Sequence, residues 1–184
     1  MNHAIVLGAR QTVGFEICSQ LLDLGCLVHA FDHREWQEEL HENRWMMIGR
    51  NAHLQYSYME EVWNVLQQIE HAFYCFIPLA DYYSRENTKL QEAMLSFLDE
   101  IERREWGDKC PLVFLNPPVI SREHSTFHME VEKRIAALKS KRIKVLEFFL
   151  PAENEQGLCR GGSCLRNFVY DLVLRMEEGE TEHG

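Results

Sequence analysis

Apolar residues gather along this chain in six short runs, and the segments between them repeat apolar positions at helical spacing. The runs are "AIVLGA" (Ala4–Ala9), "CLVHAFD" (Cys26–Asp32), the shorter "HLQYSY" (His53–Tyr58), "AFYCFIPL" (Ala72–Leu79), "PLVFLN" (Pro111–Asn116) and "IKVLEFFLP" (Ile143–Pro151). Most are apolar throughout, so they predict strands covered on both faces; a strand with one wet face would alternate. The segment "VGFEICSQLLDLG" puts Val13, Ile17, Leu21 and Leu24 on one stripe and stops at Gly25. Met59–His71 aligns Val62, Val65, Leu66 and Ile69, and Asn87–Glu105 aligns Leu90, Met94, Phe97, Leu98 and Ile101. A helix over Ser125–Ser140 carries Phe127, Val131, Ile135 and Leu138, and "LRNFVYDLVLRMEE" closes the series.

Strands alternating with helices predict βαβ units and a parallel sheet. Right-handed crossovers then give a three-layer, doubly wound α/β fold with about six strands in the Rossmann order 3-2-1-4-5-6. Its ligand belongs at the carboxyl ends of strands 1 and 4, where the chain reverses direction. The 184 residues suit one domain, read here as 1–178, with the acidic 179–184 as a frayed tail.

A net charge of -10 argues against nucleic acid, which needs clustered cations for its phosphates. Lys139, Lys141, Arg142 and Lys144 do cluster, at what reads as a solvated helix end. No apolar stretch is long enough for a bilayer and the N-terminus lacks signal-peptide order, so a cytoplasmic protein without a membrane partner is expected. The six cysteines are scattered and read as reduced. Cys159 and Cys164 flank "RGG" with no second pair; His124, His128 and Glu132 share a helix face that reads as a solvated polar face, the two histidines being at metal-binding spacing without an identifiable third ligand, so no metal site is expected.

The chemistry suggested by the opening segment is nucleotide binding. Gly8 follows the first strand, Gly14 sits where a helix must pack on it, and Asp32 ends the second strand. A pyrophosphate binds backbone N–H groups at a helix N-terminus, and a carboxylate at Asp32 would grip the adenosine ribose. The middle position of the fingerprint is Gln11 or Thr12, and a side chain there would crowd the pyrophosphate. An acid at Asp32 favours NAD(H) over NADP(H), softened by the nearby Arg10, His33 and Arg34.

Together "IVLGARQTVG", "HAFDHRE", "FYCFIPLA", "ENTKLQEAM" (with Asn87 and Ala93 in place) and "PLVFLNPPVIS" resemble the short-chain dehydrogenase/reductase superfamily in its G-x-x-G-x-x-G form. The resemblance implies dinucleotide contacts at Gly8, Arg10, Gln11, Thr12, Val13, Gly14, Asp32, His33, Leu79 and Ala80. It also implies a homodimer through the helices at 87–105 and 125–140. That family's proton transfer uses a Tyr four residues before a Lys; here Lys133 is present but Met129 stands at the Tyr position. The serine that ends the family's fifth strand is replaced by "NPP", leaving Asn116. Tyr82, Tyr83 and His128 are the substitute acids.

Three readings follow. The first is an NAD(H)-binding regulator without hydride transfer. The second is an atypical oxidoreductase or epimerase using Tyr82, Tyr83 or His128. The third is a Rossmann scaffold with an empty cofactor site, acting through protein association, for which Gln11 is the supporting residue.

Overall fold

In the computed structural model the described residues are 3–36, 39–68, 73–83, 88–104, 106, 110–118, 126–152 and 163–181. The apolar runs form the strands β1 (His3–Leu7), β2 (Leu27–Asp32), β3 (Leu54–Tyr58), β4 (Tyr74–Ile77), β5 (Leu112–Asn116) and β6 (Val145–Phe149). All pairings are parallel, in the order β3-β2-β1-β4-β5-β6. The Rossmann order expected from the alternating pattern is therefore present.

Side chains of the inner strands alternate between two buried layers, which is why these runs show no polar period. Ile5, Leu7, Cys75, Ile77, Leu112 and Phe114 face one layer, with the helices α5 (Thr88–Arg103) and α6 (Thr126–Ser140). Ala4, Val6, Phe76, Val113 and Leu115 face the other, with α1 (Thr12–Asp23) and α7 (Ser163–Thr181). The buried residues of α5 are Leu90, Met94, Phe97, Leu98 and Ile101, and those of α6 are Phe127, Val131, Ile135 and Leu138, as their spacing predicts. Arg134 on α6 donates to both carboxylate oxygens of Asp99 on α5, at 2.7 and 3.1 Å, and ties the two helices together.

Four local features depart from the sequence pattern. A helix α2 (Glu39–Ile48) follows a single 3-10 turn at Arg34–Trp36, and its C-terminal half leaves Met46 and Met47 exposed. The helix expected from Met59 begins as a 3-10 turn and becomes α3 (Val62–Gln68). The polar stretch after β4 is partly helical: α4 (Leu79–Tyr83) starts directly behind Pro78, a residue that favours a first turn. Backbone helix α7 runs to Thr181, into the segment expected as tail. Ile69, Asn87, His124, Cys159 and residues 157–162 of the glycine-rich loop lie outside the described residues.

The outward faces of α5 and α6 are polar. Lys89, Glu92, Arg103, Glu130, Glu132 and Lys133 are exposed there, and of the large apolar residues only Met129 joins them. The clustered cations behave as a solvated helix end: Lys139 pairs with Glu147 and Lys141 with Glu102.

Candidate functional site

The carboxyl ends of β1, β2 and β4 converge on the turn between β1 and α1. Gly8 takes a φ of 62°, which L side chains seldom adopt, and its carbonyl accepts from the N–H of Gln11. Gly14 packs so closely on this turn that a Cβ there would lie 2.0 Å from the oxygen of Gly8. Both glycines are thus required by the chain's own packing. The Arg10 N–H donates to Asp32 Oδ2 at 2.8 Å, and Asp32 is only 1% exposed.

The first turn of α1 contains no acidic residue, and its cap residue Gln11 makes no side-chain capping bond. Its amides are met from elsewhere. The Asp81 carboxylate on α4, 6% exposed, accepts from the N–H of Val13 at 3.1 and 3.2 Å and from that of Gly14 at 3.2 Å. A helix N-terminus favours an anion through these amides and through its dipole. Here the anion belongs to the protein.

The space above Gly8 is filled as well. Trp36, 1% exposed, comes so near that a Cβ on Gly8 would sit 2.7 Å from its ring. Its ring lies 4.6 Å from that of Tyr82 and 5.2 Å from that of His33, and the Tyr82 hydroxyl shares a 3.0 Å hydrogen bond with His33 Nε2. Gln11 is buried and directs its amide to the Trp36 carbonyl at 3.4 Å. Leu79 is buried and Ala80 half-buried beside this cluster's helix, while Thr12 is exposed. A cavity of about 460 Å³ lies next door between α3 and α5; His33 lines it, but no residue of the Gly8–Gly14 turn does.

Burial pushes the Tyr82 hydroxyl well above the ordinary tyrosine value, with Asp32 and Asp81 adding to the effect. Tyr82 therefore holds its proton in a packed cluster and has no open approach to a substrate. Tyr83 is different: its hydroxyl meets His128 Nδ1 at 2.8 Å, half-buried, with Phe127 against its ring. The structure brings together two residues proposed separately as acids. Lys133 is exposed, Met129 is 63% exposed, and Asn116 is buried at the end of β5. Among the described residues no group of three or more His, Cys, Asp or Glu side chains is placed to hold a metal. Nor, among them, is any helix long and apolar enough to cross a membrane.

Burial also lowers the pKa of His33 below the ordinary 6.5, against smaller opposing effects of Glu35 and Glu60. The unfolded chain then binds a proton more readily than the folded one. Stability is full above the ordinary value and falls as pH drops through it. Between about pH 7.5 and pH 5 the melting temperature should fall more steeply for the wild type than for His33→Gln. His29 is held low in the same way, and comparing the two proteins isolates His33. Parallel curves would show that His33 is not desolvated.

Asp81 and Trp36 were not singled out by the sequence pattern. Asp81 is one polar residue after a strand, and its amide partners are 67 and 68 positions away. For Trp36 the only local signal is an aromatic residue four places beyond Asp32.

No protein-family model matches the chain, and no curated protein is similar to it in sequence. Solved structures are similar in fold. A carbonyl reductase from Pseudomonas aeruginosa PAO1 in complex with NADP superposes with a TM-score of 0.62 at 12% identity, covering 97% of this chain and 91% of that one. The Bordetella bronchiseptica enzyme WbmH in complex with NAD+ gives 0.59 at 11% identity, over 94% and 71%. AtPrR2 in its apo form gives 0.54 at 13% identity over 83% of this chain and 49% of that one, so this chain spans about half its length. With six parallel strands in the order β3-β2-β1-β4-β5-β6, the chain has a Rossmann fold, the fold it shares with these solved structures.

Proposed function

We propose that this chain is a Rossmann scaffold whose dinucleotide crevice is closed by its own side chains and which acts by associating with other protein. The observation that carries the reading is the Asp81 carboxylate on the amides of Val13 and Gly14. A pyrophosphate arriving there would have to displace a buried anion that already satisfies those donors. It would also find Trp36 packed against Gly8. The absence of a proton donor at exposed Met129 fits the same reading.

Two alternatives keep specific support. Asp32 retains the strand-end place of a ribose-binding acid, which favours NAD(H) over NADP(H) if the crevice opens. The Tyr83–His128 pair supports an atypical acid–base role. The homodimer through the helices at 87–105 and 125–140 would have to form between charged surfaces.

The test is Asp81→Ala. Removing a buried carboxylate that caps α1 should cost about 2 kcal/mol, or about 4–8 °C in melting temperature for a chain of this size. The freed amides should then accept an external anion. Inorganic pyrophosphate or NAD+ should raise the melting temperature of the variant and leave that of the wild type unchanged. Stabilisation of the wild type by NAD+ equal to that of the variant would contradict the proposal.

A further inference from the structure

His33 stands between the closed turn and the neighbouring cavity. Its Nε2 meets the Tyr82 hydroxyl at 3.0 Å, and the residue lines the space of about 460 Å³ between α3 and α5. Tyr82 is buried and keeps its proton, and among the described residues His33 Nε2 is the hydrogen-bond partner of its hydroxyl. The hydroxyl therefore donates, and the neutral ring accepts at Nε2 with its own proton on Nδ1. An imidazolium carries protons on both nitrogens and accepts at neither. Protonation of His33 thus leaves the Tyr82 proton buried without an acceptor, beside a buried charge.

Charged and titratable groups face His33 from each element around it. Asp32 precedes it, with Oδ2 taken by the Arg10 N–H, and Arg34 and Glu35 follow it. Glu60 comes from the 3-10 turn before α3, Asp81 and Tyr82 from α4, and Lys89 lines the shared cavity from α5. Glu35 and Glu60 attract the charged ring, and both line that cavity. Farther along it Glu100 is paired with Arg103 and Arg104. A protonated ring therefore has both room and countercharge on the cavity side. The neutral ring, in contrast, holds the obstacles to the crevice in place. Trp36 packs at 5.2 Å on His33 and at 4.6 Å on Tyr82. Asp81, whose carboxylate covers the Val13 and Gly14 amides, is the residue before Tyr82 on the five-residue α4.

We propose that His33 is a proton-operated latch: its protonation turns the ring into the cavity, frees Tyr82 and Trp36, and opens the Gly8–Gly14 turn to a diphosphate-bearing ligand. The inference rests on the closed-crevice reading, since a latch needs a closed state to hold. Its size follows from linkage. A ring held below the ordinary 6.5 when closed and released to it when open takes up one proton on opening. That uptake raises the open fraction by up to about tenfold between about pH 7.5 and about pH 5.5.

Hydrogen exchange of the ligand-free wild type, read by NMR, is the first test. The protection factors of the Val13 and Gly14 amides, taken relative to those of Ile5 and Val6 in β1, should fall about tenfold on this acidification. His33→Gln should show no such fall, because Gln accepts from Tyr82 and stays uncharged. If it does not fold, Tyr82→Phe decides: without the buried hydroxyl proton the fall should shrink, and an undiminished fall would overturn the latch. The second test is calorimetry with NAD+, whose diphosphate keeps its charge over this range. Its dissociation constant for Asp81→Ala should drop about tenfold on acidification and stay constant for Asp81→Ala/His33→Gln. Unchanged relative protection in a wild type that is folded at both pH values would overturn the latch, as would a fall that survives in His33→Gln. A gain in affinity without a loss of protection would overturn it too, because a charged His33 would then only attract the diphosphate. Wild type that binds NAD+ at neutral pH as tightly as Asp81→Ala would instead remove the closed-crevice reading and the latch together, so the two failures are read apart.

Discussion

Gly14→Ala should cost at least about 4 kcal/mol and leave little native protein, an effect as large as single substitutions reach. The added Cβ would stand 2.0 Å from the Gly8 oxygen, 2.7 Å from the Gly8 carbonyl carbon and 3.0 Å from the Ala9 Cα. These are backbone atoms, so no side chain can move aside. Relief requires α1 to lift from the turn after β1, and α1 carries Ile17, Cys18 and Leu21 into the core. Gly25→Ala is the control. Its φ is 78°, but no atom lies within 4 Å of its added Cβ, so it should cost only about 1 kcal/mol of left-handed strain. Urea unfolding of both variants checks the pair. Equal losses would mean that α1 does not approach the turn as described.

Trp36→Ala should cost about 4 kcal/mol, in the range for truncating a buried aromatic. The indole touches Tyr82 and His33 and closes the space above Gly8, so its loss leaves a cavity in the middle of the cluster. Its second consequence is functional. If Trp36 and Asp81 are the two obstacles, the double variant Trp36→Ala/Asp81→Ala should be the form most stabilised by a dinucleotide. A ligand present at about 100 times its dissociation constant adds about 2.7 kcal/mol, so the rescue is readable as a shift of several degrees. A double variant that melts low and shows no response to any dinucleotide would mean that more than these two residues closes the crevice.

Much of the fold was legible because parallel strands buried on both faces must be apolar throughout, and because α5 and α6 each bury a single stripe. Leu90, Met94 and Phe97 could be assigned inward from spacing alone. The helix α2 escaped notice because its exposed Met46 and Met47 blur any stripe. The site was legible only in part. Gly8, Gly14 and Asp32 were visible as a strand–turn–helix–strand layout, but the same residues serve a turn that simply packs on itself. What decides between these uses is long-range: Asp81 reaches Val13 across 68 positions, and Trp36 folds back onto Gly8. Spacing along a chain carries no signal for such contacts. Tyr82 and Tyr83 show the same limit. Adjacent in sequence, they end in different surroundings, one locked against Trp36 and His33 and one bonded to His128.

The most direct measurement is a calorimetric titration of the wild-type chain with NAD+, NADH, NADP+ and NADPH, with Asp32→Ala alongside. A closed crevice predicts no binding by the wild type up to about 1 mM of any of the four. Micromolar binding of NAD+ that disappears in Asp32→Ala would contradict it, and would mean that Asp81 and Trp36 give way to the nucleotide.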